Sequence, residues 1–391
     1  MSRADDIDLA ALSADPYAAL APLRERGGTF WAPQLEMWLV TRYDDVVSVL
    51  RQPKVFSNDS EHSLIQATFG RQMLSIEGEE HRRAKQTCLA PFRGAAVRDV
   101  WQPGVESLCA ALLEELEHAA QRGETPDLMA GYAGPIALRT MGLIIGLGED
   151  DLDRVYRWYA AFAEALANFG GDPDAAEAGR LAAGAMRSYL DERLRAAEAG
   201  ELSPSTLLAH LAQSDELERS RKLANLLIVL FGGIETTESM IGNALWCLFT
   251  QIEAFDGRVE ALIEESLRFE PAVQTLTRHA TGDVELLGAR VRQGQTVQCM
   301  VSSAHRDPRA FDDPDRFDLG RFGGEGTSAP RKHLAFGLGT HFCLGAQLAR
   351  LEAKSAIEAL LERWPAVHLA SPSPPVGHEF RRPESLLVEL N

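Results

Sequence analysis

The stretch FGLGTHFCLG, residues 336–345, places three glycines around the cysteine Cys343. Apolar residues then recur at three- and four-residue spacing, which predicts a helix over residues 344–364. A thiol at the start of a helix is easily ionised, because unpaired amides and the helix dipole favour negative charge there. The glycines allow positive φ values and close approach of a flat macrocycle to the backbone. For a cysteine without such neighbours, a buried structural thiol would be the simpler interpretation.

The spacing around the cysteine is more specific than its glycine content. Counted from Cys343, an aromatic residue lies seven positions before, a glycine four before, a histidine two before and a glycine two after. This pattern closely resembles the haem-binding signature FxxGx(H/R)xCxG of the cytochrome P450 family. The resemblance implies that Cys343 is the axial thiolate of a haem b (iron protoporphyrin IX) and that His341 contacts a propionate. Thiolate ligation favours O–O cleavage. The other residues of this loop that the resemblance places at the cofactor are Phe336, Gly337 and Gly345.

Composition limits the classes of partner. The 391 residues include 39 basic and 57 acidic side chains, which gives 39 − 57 = −18. Nucleic acid and anionic membrane surfaces are therefore not expected as partners. The N-terminal sequence lacks the features of a signal peptide, and no apolar run approaches the roughly 20 residues of a membrane span. We therefore expect a cytoplasmic protein without a membrane anchor. The five cysteines are scattered, so disulfides and structural zinc are not expected.

Periodicity predicts a mostly helical middle of the chain between two regions with strands. Residues 56–76 lack a clean period and are predicted as loop with a short helix. A break at residues 169–173 corresponds to a substrate lid in the resembled family, and a plain connection between helices is equally compatible with it. The predicted helices cover residues 80–89, 103–121, 135–146, 151–168, 175–199 and 221–250, and the predicted strands cover residues 29–31, 37–41 and parts of 284–301.

The predicted helix over residues 221–250 is apolar on nearly all sides, which is typical of a buried core helix. Gly232 and Gly233 in its middle cost about 1 kcal/mol each relative to alanine. Such a cost indicates close approach of another group to the backbone, although a packed helix kink with a solvent-facing Glu235 is the alternative. The segment resembles the family motif (A/G)Gx(D/E)T. By resemblance, Thr236 orients the oxygen ligand, Glu235 relays protons, and the two glycines make room for O2.

Three further segments resemble family elements. Glu265 and Arg268 share a helix face and would ordinarily form an exposed pair worth about 0.2–0.5 kcal/mol. They resemble the ExxR element of the family, which supports the fold behind the haem. Arg278 matches the position of a propionate-binding arginine, with a surface arginine as the alternative. His81 and Lys85 resemble a propionate-binding pair. Lys85 stands where arginine is usual, and lysine cannot make a bidentate contact.

The sequence also suggests the character of a substrate pocket. Phe231, Ile234, Val273 and Leu276 predict an apolar lining, and Gln274 is a possible polar contact. The substrate itself is not evident from the sequence.

The resemblance extends from about residue 15 to the C-terminus and implies the cytochrome P450 fold, mainly α with small β-sheets, an α-rich lobe and a smaller β-rich lobe around a buried haem. We expect one domain over residues 1–391, without a fused reductase. The implied function is a monooxygenase that inserts one atom of O2 into an apolar organic small molecule, as in secondary metabolism. Electrons would come from a separate ferredoxin or flavodoxin. The oligomeric state is open.

Two kinds of alternative remain at this point. One is a family member that uses peroxide directly or catalyses coupling or desaturation, and the other is a haem-thiolate sensor or carrier without turnover. A basic patch is the expected dock for an acidic redox partner, with an ordinary solvated face as its alternative. The patch residues are Arg82, Arg83, Lys85, Arg331, Lys332 and Arg350.

Overall fold

A computed structural model describes residue 4 and residues 7–60, 63–166, 172–322, 331–371 and 373–390. Residues 169–171 of the predicted lid lie outside this part of the chain. Most of the described chain is helical. The helices are α1 Leu9–Ala14, α2 Pro16–Arg26, α3 Tyr43–Leu50, α4 Leu64–Phe69, α5 Gly78–Cys88, α6 Gly94–Ala96, α7 Gln102–Gln121, α8 Gly134–Ile145, α9 Leu152–Leu166, α10 Pro173–Glu198, α11 Leu207–Ala212, α12 Arg219–Gln251, α13 Val259–Phe269, α14 Val301–His305 and α15 Ala346–Arg363.

The strands form one larger sheet of five strands and two smaller sheets of two strands each. The larger sheet has the order β1-β2-β7-β4-β3, in which β2 and β7 are parallel and the other neighbours antiparallel. The strands β5 and β6 pair with each other, as do β8 and β9. The strands are β1 Thr29–Ala32, β2 Met37–Val40, β3 Phe56–Ser57, β4 Thr275–Ala280, β5 Val284–Leu286, β6 Ala289–Val291, β7 Thr296–Met300, β8 His368–Leu369 and β9 Val388–Glu389.

Helix α12 forms the centre of the helical lobe. Its apolar residues face all sides, and it packs against α8, α10, α13 and α15. Two apolar clusters meet along it, one shared with α8, α9 and α10 and the other with α7, α13 and α15. A third cluster covers the larger sheet. The expected fold class, mainly α with small sheets, is confirmed.

The length and composition of α12 also resemble those of a membrane span. Among the described residues it is the one helix that meets both criteria, and 72% of its most apolar window is buried inside the protein. This burial is the pattern of a core helix. The helix is continuous across Gly232 and Gly233, so the sequence break in its middle is not a break in the helix.

Candidate active site

A cavity of about 460 Å³ lies between α12 and the loop at residues 336–345. The side of α12 that carries Thr236 faces it, and the start of β4 forms another wall. Most of the lining is apolar. Of the residues singled out from the sequence, the lining includes Phe231, Gly232, Gly233, Thr236, Val273, Leu276, Arg278, His81, Lys85, Phe336, Gly337, His341, Cys343 and Gly345.

The cysteine loop has the close backbone packing that its glycines suggest. The Cys343 amide donates to the Phe336 carbonyl oxygen at 2.9 Å, which closes the loop on itself. Gly337 and Gly339 have φ values of 69° and 74°, a region that favours glycine. Gly345 does not adopt the positive φ that glycine allows, because its φ is −90° and its ψ is 8°. A Cβ at Gly345 would meet no atom within 4 Å, so the glycine leaves open space beside the thiol.

The Cys343 thiol faces the cavity, unlike the other four cysteines, which are buried. Desolvation raises its pKa, and the amides of Gly345 and Ala346 and the charge of Lys85 only partly oppose this. Desolvation thus opposes the ionisation that the helix start favours, and the expectation of an easily ionised thiol stays a prediction. The amides nevertheless point at the sulfur, and coordination to a metal ion deprotonates a thiol outright. The site therefore suits a metal ligand better than a free nucleophile.

Lys85 connects helix α5 to the same loop. Its ammonium group donates to the carbonyl oxygens of Thr340 and Phe342, each at 2.7 Å. Burial lowers the pKa of Lys85, but the group stays well able to donate these bonds. This side chain therefore fixes the backbone on both sides of His341.

Basic side chains gather at one end of the cavity. The rings of His81 and His341 lie 4.2 Å apart, and His341 Nε2 is 2.9 Å from a carboxylate oxygen of Glu77. Burial, together with the neighbouring charges of His341 and Lys85, lowers the pKa of His81 to about 4. Arg278 is only 5% exposed. Its guanidinium donates to the Thr277 carbonyl oxygen at 2.7 Å, and no carboxylate of the described residues forms an ion pair with it.

A buried guanidinium without a paired anion is costly. Burial accordingly lowers the pKa of Arg278. The combination of this unpaired cation, two neighbouring imidazoles and open space beside a thiol fits a flat group that carries carboxylates and a metal. These residues therefore fit the haem that the sequence motif implies.

The glycine pair of α12 serves two different purposes. A Cβ at Gly232 would meet no atom within 4 Å, so this residue opens the helix surface to the cavity. A Cβ at Gly233 would overlap the Met141 side chain of α8, so this glycine permits close helix packing. Both glycines and Met141 line the cavity, so the expectation that both glycines make room for O2 stays a prediction. The Thr236 hydroxyl faces the cavity and donates to the Gly232 carbonyl oxygen at 2.6 Å.

Glu235 points away from the cavity rather than lying beside the Thr236 hydroxyl. Its carboxylate accepts a hydrogen bond from the Tyr159 hydroxyl and lies 3.7 Å from Arg382 Nε. Arg382 also contacts Glu238, with 2.9 Å between guanidinium nitrogen and carboxylate oxygen. Burial raises the pKa of Glu238 to about 7, and the charge of Glu235 adds to this, although Arg382 opposes it. The predicted proton-relay acid thus belongs to a charged cluster behind the helix.

Two of the predicted pocket residues lie elsewhere. Ile234 is 0% exposed and packs in the core between helices, because it lies on the face of α12 turned away from the cavity. Gln274 is also fully buried, and its amide donates to the Pro271 carbonyl oxygen. The sequence analysis missed Glu379 and Phe380, which enter the lining from the C-terminal segment. No local periodicity marks these two residues.

The Glu265–Arg268 pair is buried, which excludes the alternative of an exposed pair. Guanidinium and carboxylate are 2.6 Å apart with 0% and 1% side-chain exposure. Arg268 also donates to the carbonyl oxygens of His305, Pro314 and Arg316. This single side chain therefore holds together three segments that have no regular hydrogen-bond pairing with one another.

His305 connects helix α13 to the segment that leads into the cysteine loop. Its Nε2 accepts the Leu334 amide at 2.7 Å, so its Nδ1 carries the proton and donates to the Arg268 carbonyl oxygen at 3.0 Å. Burial, reinforced by nearby cations, lowers the pKa of His305 well below its usual range. The neutral imidazole thus ties the start of the loop to helix α13.

Comparisons with known proteins agree with this geometry. The family model "Cytochrome P450" matches residues 259–378. Cytochrome P450 monooxygenase PikC of Streptomyces venezuelae is 34% identical over 93% of this chain and 88% of its own length. Nocardicin C N-oxygenase of Nocardia uniformis subsp. tsuyamanensis is 33% identical over 90% of this chain and 89% of its own length. Among solved structures, P450BioI in complex with hexadec-9Z-enoic acid ligated acyl carrier protein matches with TM-score 0.87 and 26% identity, over 98% of this chain and 100% of that one.

The fold and the cysteine-bearing loop define the class of haem-thiolate oxidoreductases. The chain belongs to the cytochrome P450 family. It is a bacterial-type P450 monooxygenase, and its relatives include enzymes of secondary metabolism.

Proposed function

We propose that the cavity binds haem b, with the Cys343 sulfur as the iron ligand. Arg278, His81 and His341 would surround the propionates. The unpaired buried guanidinium of Arg278 supports this assignment, because a propionate supplies the anion that it lacks. We assign Lys85 to the loop backbone instead, because its donors already meet two carbonyl oxygens. When bound, the haem supplies the dioxygen activation and the oxidation chemistry.

The reaction that we propose is insertion of one atom of O2 into an apolar organic small molecule. The observation that carries this proposal is one cavity that contains both the Cys343 thiol and the Thr236 hydroxyl within an apolar lining. Phe231, Val273 and Leu276 exclude water from the space between them and hold the substrate by contact. The Thr236 hydroxyl donates its proton to the Gly232 carbonyl oxygen, which fixes Oγ1 at the cavity wall, where this oxygen can accept a hydrogen bond.

Proton delivery to the cavity beside Thr236 needs a source, and we propose that it is Glu235. Its carboxylate lies in a cluster with Tyr159, Arg382 and Glu238. The Arg382 side chain is 33% exposed, so this cluster reaches the protein surface. A rotation of the Glu235 side chain would carry a proton from the cluster to the side of α12 that faces the cavity. Arg382 would hold Glu235 in place between such movements.

Electrons would come from a separate ferredoxin or flavodoxin. Ion pairs within the protein reduce the number of basic side chains available to dock it. Arg331 and Arg350 are paired with the carboxylates of Asp44 and Glu264. The exposed Arg83 and Lys332 have no such pairing among the described residues. We therefore centre the proposed dock on these two side chains, where charge attraction would steer an acidic partner.

The proposal is tested by absorption spectroscopy and by turnover. The purified protein, reduced under carbon monoxide, should show the red-shifted absorption peculiar to sulfur-ligated haem. Cys343→Ala should lose that absorption, whereas Cys247→Ala, which removes a buried thiol outside the cavity lining, should keep it. A wild-type protein without this absorption would overturn the proposal.

Turnover separates the monooxygenase from its alternatives. With a surrogate redox chain, substrate-dependent consumption of O2 and NADPH with product formation is expected. Product formation from peroxide alone would indicate a peroxide-using enzyme instead. Substrate binding without any consumption would indicate a sensor or carrier.

A further inference from the structure

One carboxyl group lies in the cavity away from the basic side chains. Glu379 lines the cavity and also a smaller pocket of about 100 Å³ beside it, bounded mainly by Leu9, Leu12 and Leu39. Met37, Thr275 and Glu379 belong to both linings, so Glu379 lies where the two spaces meet.

A tight turn in the C-terminal segment places this carboxyl. Val376 and Arg382 pair by two backbone hydrogen bonds, and Gly377 between them has φ 116°. A Cβ at Gly377 would overlap the Phe380 carbonyl oxygen, so only glycine fits this turn. The Gln274 amide then donates to the Glu379 carbonyl oxygen at 2.9 Å. The backbone of Glu379 is thereby fixed against the cavity wall, and its side chain is held at the cavity.

The Glu379 carboxyl has no partner of its own. No side chain in the described parts of the chain donates a hydrogen bond to it or forms an ion pair with it. Burial alone raises its pKa to about 7, with no contribution from a neighbouring charge. Its titratable neighbour His378 has a pKa lowered by burial and is neutral in that range. The other side chains that line the smaller pocket are uncharged. Glu379 is half-buried, and a desolvated carboxyl without a partner is costly; such groups concentrate at functional sites.

The other charged residues of the cavity lining lie elsewhere, so the Glu379 carboxyl remains available to a ligand. The cationic groups of the cavity belong to the end that we assign to the propionates. The other acidic residue of the lining, Glu352, is fully buried on helix α15, which follows the cysteine loop, and burial raises its pKa well above the usual range. Glu379 is instead accompanied by Phe380, whose ring contacts Phe231 of α12 with 5.7 Å between centroids. The carboxyl therefore lies beside the apolar wall that would contact substrate.

We propose that Glu379 recognises a cationic nitrogen of the substrate, so that the preferred substrates are apolar molecules carrying one ammonium group. This inference rests on the proposed function, and it narrows the substrate class. Thr275 beside Glu379 adds a hydroxyl that already accepts the Gln298 amide at 2.6 Å. A substrate cation at this position would supply Glu379 with the charged partner that no side chain of the described residues supplies.

Two probes of equal chain length test the proposal on the haem-loaded protein. Dodecyltrimethylammonium carries a permanent charge and cannot ligate iron through nitrogen, and dodecan-1-ol is the uncharged probe. Dissociation constants are measured from the change in haem absorption and, independently, by calorimetry. A charge-assisted contact is expected to make the ammonium probe bind about ten- to a hundredfold tighter than the alcohol in the wild type.

Variants test whether Glu379 is the residue that causes the preference for the ammonium probe. Glu379→Gln should bind both probes with similar affinity and should leave the affinity for dodecan-1-ol within about twofold of wild type. Glu384→Gln removes an equal charge at an exposed position five residues further on and should keep the preference. The wild-type preference should also decrease below about pH 7, where Glu379 becomes protonated, whereas Glu379→Gln should show no such decrease.

The experiment distinguishes failure of the recognition role of Glu379 from failure of the proposed function. A protein with the sulfur-ligated haem absorption that binds both probes equally, or a Glu379→Gln variant that keeps the preference, would overturn the recognition role alone. If Glu379→Gln does not load haem, the pH dependence of the wild type and the variant Glu379→Asp decide instead. Glu379→Asp keeps a carboxyl on a shorter side chain and should retain a preference for the ammonium probe. If Glu379→Asp loses this preference and the wild-type preference does not change with pH, the proposal is refuted.

Discussion

Replacing Glu238 by glutamine should change how the stability of the protein depends on pH. The wild-type carboxyl has an ordinary pKa near 4.5 that burial raises to about 7 in the folded protein. Between these values the unfolded chain is ionised at this position while the folded chain holds a proton. Wild-type stability therefore decreases as pH rises from about 4.5 to about 7, and the loss is complete above pH 7. Glu238→Gln cannot ionise and should not show this decrease.

The size of the effect follows from the pKa difference. One pKa unit corresponds to about 1.4 kcal/mol, so the rise at Glu238 corresponds to about 3 kcal/mol of unfolding free energy at high pH. At roughly 2.1 cal/mol/K of unfolding entropy per residue, this equals about 4 °C in Tm for a chain of this length. The Glu238 residue is only 6% exposed, so solvent screening is small. The pKa of about 7 already includes the opposing effect of the Arg382 charge.

The measurement is the thermal midpoint of the haem-loaded wild type and variant at matched scan rate from about pH 5 to pH 8. The midpoint of Glu238→Gln relative to wild type should rise by several degrees across this range, most of it below about pH 7. Glu201→Gln, an exposed position at the end of α10, is the matched control and should run parallel to wild type. Parallel profiles for Glu238→Gln would refute the reasoning, because they would mean that Glu238 is already ionised at acid pH.

The remaining predictions concern three other parts of the molecule. Thr236→Ala should bind haem and substrate but release more peroxide per NADPH than wild type, whereas Thr236→Ser should stay close to wild type; an unchanged product yield in Thr236→Ala would contradict the assigned role. Arg268→Met should cost about 3–5 kcal/mol, because it leaves Glu265 and several carbonyl oxygens unpaired, and thermal unfolding should show it. Arg258→Met removes a half-exposed pair and should cost under about 1 kcal/mol. Charge reversal of Arg83 should slow electron transfer at low salt, and equal rates in stopped-flow reduction would remove the proposed dock.

The helices were predictable where the apolar residues repeat. The helix expected over residues 103–121 is Gln102–Gln121, and that over 175–199 is Pro173–Glu198. Each has one buried face, so periodicity alone identifies it. The short helix Leu207–Ala212 was missed, because four of its six residues are buried and it is too short for a period to show.

The site was predictable where a motif places its own residues. Cys343, Thr236 and Arg278 line one cavity, in agreement with the motif spacing. Side-chain direction was not predictable, because it depends on distant residues. Glu235 is drawn behind α12 by Arg382, which is 147 residues further along the chain by 382 − 235. Single-domain organisation, a cytoplasmic location and the individual roles of the site residues stay predictions.

One ring nitrogen of His305 donates a hydrogen bond and the other accepts one, so the imidazole keeps both bonds only while it is neutral. The imidazole has one acceptor, and that acceptor holds the Leu334 amide. A second proton would turn it into a donor facing a donor, so protonation breaks the connection between the cysteine loop and helix α13. Because the folded pKa is depressed, this contribution is complete above about pH 6.5 and declines below it. Acidification should therefore loosen the loop around Cys343 while the surrounding helices persist, and haem release should precede the loss of helical circular dichroism.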